Sequence, residues 1–188
     1  FQGCSSLHKL TISNASSSIS FYGNTSSYTF GSFHNCPIDT VHYGRNITPT
    51  YPSGSLTSTS VLFGTAVKSL TFGNSVTNVA PYAFYGCTQL TPLILPGSVT
   101  TIYDYAFYGC TGIPELTIPS SATTIGQSAF QGCSSLHKLT ISNASSSLGI
   151  YVNTSTYTNG SFRNCPIDTV RYGKNITPST SGGSFTSV

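Results

Sequence analysis

The sequence predicts an elongated, mostly β solenoid: right-handed coils with a parallel sheet on one face and short turns or helical turns on the other. Three observations predict it. Residues 1–18, FQGCSSLHKLTISNASSS, return letter for letter at 130–147. Residues 31–49 return at 160–178 with three changes, His34/Arg163, His42/Arg171 and Arg45/Lys174, at the same offset of 129 residues. Inside this long unit runs a shorter period of apolar triplets. Repetition at such periods signals coils that stack rather than a chain that closes on one core.

The triplets are Leu10-Thr11-Ile12, Val41-His42-Tyr43, Leu70-Thr71-Phe72, Leu93-Ile94-Leu95, Leu116-Thr117-Ile118, Leu139-Thr140-Ile141 and Val170-Arg171-Tyr172. Three residues before each stands another apolar residue: Leu7, Ile38, Val67, Leu90, Ile113, Leu136 and Ile167. Spacings between these first positions are 31, 29, 23, 23, 23 and 31 residues, so five coils fill one 129-residue unit. In an extended strand successive side chains alternate faces. Leu10 and Ile12 are therefore expected to point inward and Thr11 outward. Domain organisation follows: 1–188 is one repeat domain, with a five-coil unit at 1–129, a partial copy at 130–188, and the character of a segment from a longer array.

A second signature accompanies the regular coils: Pro-Tyr-Ala-Phe-Tyr-Gly-Cys at 81–87, Asp-Tyr-Ala-Phe-Tyr-Gly-Cys at 104–110 and Gln-Ser-Ala-Phe-Gln-Gly-Cys at 127–133. Between strand and signature lies an apolar pair, Val76/Val79, Val99/Ile102 or Ala122/Ile125. The phenylalanines Phe1, Phe33, Phe84, Phe107, Phe130 and Phe162 are expected to stack as a core ladder. The glycine before each regular cysteine is expected to allow a tight turn.

The triplet pattern L-x-x-L-x-L is the strand signature of leucine-rich repeats. Leu95-Pro96-Gly97-Ser98-Val99-Thr100-Thr101-Ile102 and Ile118-Pro119-Ser120-Ser121-Ala122-Thr123-Thr124-Ile125-Gly126, with the Ala-Phe-x-Gly-Cys run, closely resemble the BspA-type leucine-rich repeat. The resemblance is strongest over 67–141 and weaker in the longer coils, which depart from it by insertion. It implies a secreted or cell-surface protein that adheres to host proteins or to other cells; separately, no cofactor is expected.

Composition narrows the function classes. Only 6% of residues are charged, against about 25% in an average soluble protein. The net charge of +3 arises from few acids, and the seven Lys and Arg are scattered, which makes no nucleic-acid footprint. No apolar run reaches membrane-spanning length, so no membrane insertion is expected within the segment. The six cysteines share one repeat position: Cys4, Cys36, Cys87, Cys110, Cys133 and Cys165. None forms the close pair that metal sites use. They read as free, buried thiols packing as small apolar groups, with one or two disulfides at the irregular coils as the lesser alternative. His8 beside Cys4, and His137 beside Cys133, are expected to point away from the thiol. Asp39 and Asp168 are expected to make turn hydrogen bonds. No triad or phosphate loop is spelled, so an enzyme is not expected.

Three candidate interaction features remain. The first is the outward strand column Thr11, His42, Thr71, Ile94, Thr117, Thr140 and Arg171. The alternative for it is an ordinary solvated β-surface. The second is the tyrosine set Tyr82, Tyr85, Tyr105 and Tyr108, placed on the opposite edge or convex side. These rings suit an interface, or simply pack on one another. The third is the pair of inserts at 13–31 and 142–160, rich in Ser, Thr and Asn, with Tyr22, Tyr28, Tyr151 and Tyr157. Long inserts in repeat proteins map to loops and often carry function. Sequons stand at Asn14, Asn24, Asn46, Asn143, Asn153, Asn159 and Asn175, where N-linked sugar could attach. Such sequons also arise by chance in Asn/Ser/Thr-rich sequence. Two functions fit: a binding scaffold for host or cell-surface proteins, or a head-to-tail filament of further copies, since an exposed coil end offers strand edges and open core.

Overall fold

The computed structural model describes residues 1–23, 31–50, 61–151 and 159–178. Its strands are β1 (Lys9–Ile12), β2 (Thr40–Tyr43), β3 (Ser69–Phe72), β4 (Asn78–Val79), β5 (Thr101–Ile102), β6 (Glu115–Ile118), β7 (Thr124–Ile125), β8 (Lys138–Ile141), β9 (Leu148–Ile150), β10 (Thr169–Tyr172) and β11 (Ile176–Pro178). All pairings between them are parallel. Each triplet strand pairs with the triplet of the adjacent coil: Thr11 lies opposite His42, His42 opposite Thr71, and Thr117 opposite Thr140, which faces Arg171. This is the register the internal period demands, because a one-residue slip would turn every leucine outward.

The expected single sheet face needs one correction. The triplet column forms two sheets, β1-β2-β3 and β6-β8-β10, because Leu93–Leu95 joins neither. The reason is Pro92. Ser69 and Lys138 occupy the same repeat position as Pro92, and their backbone N–H groups donate to Asp39 and Pro114 of the preceding coil. Proline has no N–H to donate. The peptide bond Thr91-Pro92 is cis. Leu93 and Leu95 remain buried and Ile94 exposed, so the alternation survives without the ladder.

The opposite wall also differs from simple turns. Val79, Ile102, Ile125 and Ile150 lie in a five-stranded parallel sheet, β11-β9-β7-β5-β4. The apolar pair between strand and signature is therefore a second strand, too short for alternation alone to reveal. In the first two coils it shrinks to single bridges, Ile19 with Ile47 and Tyr22 with Thr50.

The Ala-Phe signature forms a third wall of turns that also hydrogen-bond from coil to coil. Phe84, Phe107 and Phe130 donate their N–H to Ala106, Ala129 and Ser161, and Gly86, Gly109 and Gly132 donate to Tyr108, Gln131 and Arg163. The glycine before the cysteine has φ of 70°, 67° and 76° at these three coils. That left-handed region is open to glycine and next to asparagine. The long coils accordingly place Asn35 and Asn164 there, at φ 58° and 57°.

Between the walls runs one continuous core. The phenylalanine ladder is present, with centroids 5.4 Å apart for Phe84–Phe107, 5.2 Å for Phe107–Phe130 and 5.2 Å for Phe130–Phe162. Its ends are less covered than expected: Phe1 is exposed and Phe162 half-buried. Phe63 fills the gap between Phe33 and Phe84, 5.7 Å and 5.5 Å away. The sequence hid it, because the third coil reads Leu-Phe-Gly-Thr in place of Ala-Phe-x-Gly-Cys.

Candidate interaction faces

The sheet face is built by the alternation just described. Thr11, Thr71, Ile94, Thr117 and Arg171 are exposed, and His42 and Thr140 half-buried. They form the outward column the sequence predicts, with the two sheets separated at Ile94. His42 is held in place: Nδ1 lies 3.0 Å from Thr71 Oγ1 and Nε2 3.1 Å from Asn14 Oδ1. Lys138 reaches Glu115 across the strands at 2.9 Å. Ile94 is 71% exposed, between the outward threonines of the coils on either side. Ile94 is thereby the one aliphatic member of an otherwise polar outward column.

The tyrosines form a packed group on the turn wall. Tyr82 stacks on Tyr105 at 4.9 Å, and Tyr85 on Tyr108 at 4.6 Å. Tyr82 is buried, and the other three are half-buried, so Tyr82 offers little to a partner. Burial pushes the Tyr82 and Tyr85 hydroxyls up to about 12, with the neighbouring Tyr105 and Tyr108 phenols adding to it.

In the inserts, Tyr22 is exposed and Tyr151 half-buried, and each exchanges hydrogen bonds with the serine ten residues on, Ser32 or Ser161. Tyr28, Tyr157, Asn24 and Asn153 lie outside the described residues. Asn14, Asn143 and Asn175 are exposed, and Asn46 and Asn159 half-buried. Asn46 has a bonding role that its sequon did not suggest. Its Oδ1 accepts the N–H groups of Thr77 and Asn78, at 2.9 Å and 3.1 Å, and its Nδ2 donates to Thr77 Oγ1 at 2.7 Å.

All six thiols are free. Five are buried, but Cys4 is exposed, contrary to expectation: it belongs to the first coil, whose strand β1 is at the edge of its sheet among the described residues. The buried thiols also do more than fill space. Cys36, Cys110, Cys133 and Cys165 donate to the carbonyls of Phe1, Phe84, Phe107 and Phe130, and Cys87 to that of Gly64. Each bond ties a coil to the one before it. Burial, with the Cys87 thiol beside it, raises the Cys110 thiol well above its ordinary value. Among the described residues no cluster of His, Cys, Asp and Glu could hold a metal ion, and no helix is long and apolar enough to cross a membrane.

His8 and His137 point away from the thiols and meet the aspartates of the next coil, with Nδ1–Oδ2 distances of 3.4 Å to Asp39 and 3.3 Å to Asp168. The aspartates also accept the expected turn hydrogen bonds, from Thr40 and Thr169 at 2.8 Å and 2.9 Å. The Thr40 hydroxyl, aided by His8, holds the Asp39 carboxyl below its ordinary value. Sequence reading missed the pairing because its partners lie 31 residues apart, the spacing of one long coil.

The last described coil carries an open cleft. Val170, Tyr172, Lys174 and Ile176 line its volume of about 690 Å³.

The comparisons with known proteins agree with this architecture. The profile of the BspA-type leucine-rich repeat region matches residues 57–185 in six copies. The chain belongs to the BspA-type leucine-rich repeat family. A leucine-rich cell surface protein from Faecalibacterium prausnitzii A2-165 has a similar structure, with a TM-score of 0.52 and 25% identity over 73% of this chain. The chain spans 32% of that protein's length. No curated protein matches the sequence. The fold is thus a leucine-rich-repeat solenoid, and its parallel walls make it a scaffold of stacked coils.

Proposed function

We propose that the chain works outside the cell, at a cell surface, as a non-catalytic scaffold whose sheet face binds proteins and mediates adhesion. Membership of the family and the likeness to a cell surface protein support the setting. Ile94 carries the assignment of the face. It is 71% exposed in the middle of the outward column, where the ladder opens and polar threonines surround it. A desolvated apolar anchor within a polar rim is the usual anatomy of a protein-binding hot spot. Tyr85, Tyr105, Tyr108, Tyr22 and Tyr151 are secondary contacts in this reading. The exposed sequons Asn14, Asn143 and Asn175 are the positions proposed to carry sugar.

Beads coated with the chain, offered to immobilised collagen, fibronectin and laminin and to cell monolayers, test the reading. Retention by at least one surface is expected, with loss for Ile94→Asp at unchanged circular dichroism. Equal retention of the variant would remove the sheet face from the proposal.

A filament of stacked copies is the second reading. It is supported by the parallel, in-register pairing that carries from one coil to the next. Electron microscopy of native material decides between the two readings. Filaments with an axial repeat of about 24 Å, five coils at the strand spacing, would support assembly. Separate rods would support binding.

A further inference from the structure

We propose that Tyr85 and Tyr108 form an oxidative cross-linking site, at which a peroxidase-type one-electron oxidant joins the two rings through a carbon–carbon bond. The inference stands apart from adhesion and from filament formation.

The two rings lie on adjacent coils with centroids 4.6 Å apart and planes within 6° of parallel. Both are half-buried: the stack holds them together, yet solvent and a small oxidant reach them. Their backbones are fixed by the turn wall, where Tyr85 donates its N–H to Tyr82 and Tyr108 donates to Tyr105. Close approach of this kind is the main requirement for radical coupling, because a phenoxyl radical must meet a second one before it is quenched. A pre-formed pair replaces that encounter with a local rotation.

The chemistry balances. Each phenol gives up one electron and one proton, leaving two phenoxyl radicals whose unpaired density extends to the ring carbons ortho to oxygen. One ortho carbon from each ring forms the new bond. The hydrogens displaced from those carbons return to the phenol oxygens as the rings regain aromaticity. Two phenols and one hydrogen peroxide thus give one dityrosine and two waters.

Other pairs compete poorly. Tyr82 and Tyr105 stack at 4.9 Å, but Tyr82 is buried and the Tyr105 hydroxyl accepts a hydrogen bond from Gln127 Nε2 at 3.0 Å. Tyr105 and Tyr108 are 5.9 Å apart and tilted by 42°. The product would join the fourth coil covalently to the fifth, with the bond carried on the turn wall and the sheet face left untouched.

The test uses the whole chain, dilute, with a plant peroxidase and hydrogen peroxide. The expected product is a monomer lighter by two hydrogens, with dityrosine emission and a peptide map that joins Tyr85 to Tyr108. Tyr85→Phe and Tyr108→Phe keep the ring stack, as circular dichroism should verify, and each should abolish the intramolecular product. Tyr103→Phe should leave it intact. The oxidised monomer should also unfold at higher urea than the untreated one. A cross-link mapped to another pair, an unchanged yield in Tyr85→Phe, or dimers as the sole coupled product would overturn the proposal.

Discussion

Residues 31–49 and 160–178 are nearly the same sequence in two settings. In the second coil Val41 is 1% exposed and Tyr43 0%, whereas their copies in the seventh, Val170 and Tyr172, are 46% and 68% exposed. The difference lies in what is stacked on them. Phe63 and Phe72 of the third coil cover Tyr43 at 6.3 Å and 5.5 Å, Phe84 of the fourth lies 6.0 Å away, and the N–H of Ala80 donates to its hydroxyl at 3.2 Å. Burial pushes that hydroxyl above its ordinary range. A coil's own sequence therefore decides which side chains face inward, and its neighbour decides whether they leave water. That is the physical content of a one-dimensional fold.

The two copies also differ in how they reach backward. Arg45 donates to the carbonyl and hydroxyl of Ser13 one coil away, at 2.8 Å and 2.7 Å. Its counterpart Lys174 is buried and donates to the carbonyls of Ser120 and Ala122, two coils back. Burial lowers the Lys174 pKa. A fork of several donors suits two acceptors on one residue, while a single ammonium suits converging carbonyls.

The contrast between the copies can be broken by mutation. The largest effect is expected from Tyr43→Ala, which should cost about 3–5 kcal/mol as a buried aromatic truncation. Tyr172→Ala should stay within about 0.5 kcal/mol, as surface changes do. Urea midpoints followed by far-ultraviolet circular dichroism make the comparison, and equal costs would contradict the stacked account.

Thiol chemistry sharpens the same point. Cys4 and Cys133 occupy one position in two exact copies, one exposed and one buried. Iodoacetamide should label Cys4 in the native chain and the other five only after unfolding, which a peptide map would read directly.

A smaller effect is expected from alkali. Tyr82 and Tyr85 titrate at about 12 in the folded chain, against 10.0 for a free phenol. A raised folded value means stability that is full below pH 10 and lost as pH climbs toward about 12. The urea midpoint should fall across that window. The loss should be smaller in Tyr82→Phe and Tyr85→Phe.

The smallest effect belongs to the His8–Asp39 contact, which is solvent-exposed. Asp39 is held below its ordinary carboxyl value, so its contribution is present near neutrality and lost as pH falls below the carboxyl range. Asp39→Asn should leave the midpoint at pH 7 close to that of the parent, and no more than a slight acid dependence should disappear with it.

Much of this fold was legible in the sequence because the coil repeats. Inward and outward residues of the triplets, the phenylalanine ladder and the turn glycines all followed from position. What escaped was either non-repetitive or too short to carry a period. Pro92 opens the ladder at one coil, and Phe63 hides in an irregular signature. The second sheet has strands as short as two residues, such as Asn78–Val79, below the length at which alternation can be counted. The thiol–carbonyl bonds use backbone acceptors, which have no letter of their own. Of the candidate faces, the Thr column was readable as a surface, but the break that isolates Ile94 was not.

Hydrogen exchange in two chains tests the central claim most directly. One is the chain as it stands; the other carries residues 60–127 appended in register after Val188. In the first, amides of Thr169–Tyr172 should exchange far faster than those of Thr40–Tyr43, since among the described residues β10 has one strand neighbour and β2 has two. In the second, a new third-coil sequence covers β10, and the two segments should become equally protected. Fast exchange at Thr169–Tyr172 in both would mean that burial is not supplied by the neighbouring coil, and the stacked-coil account would fall.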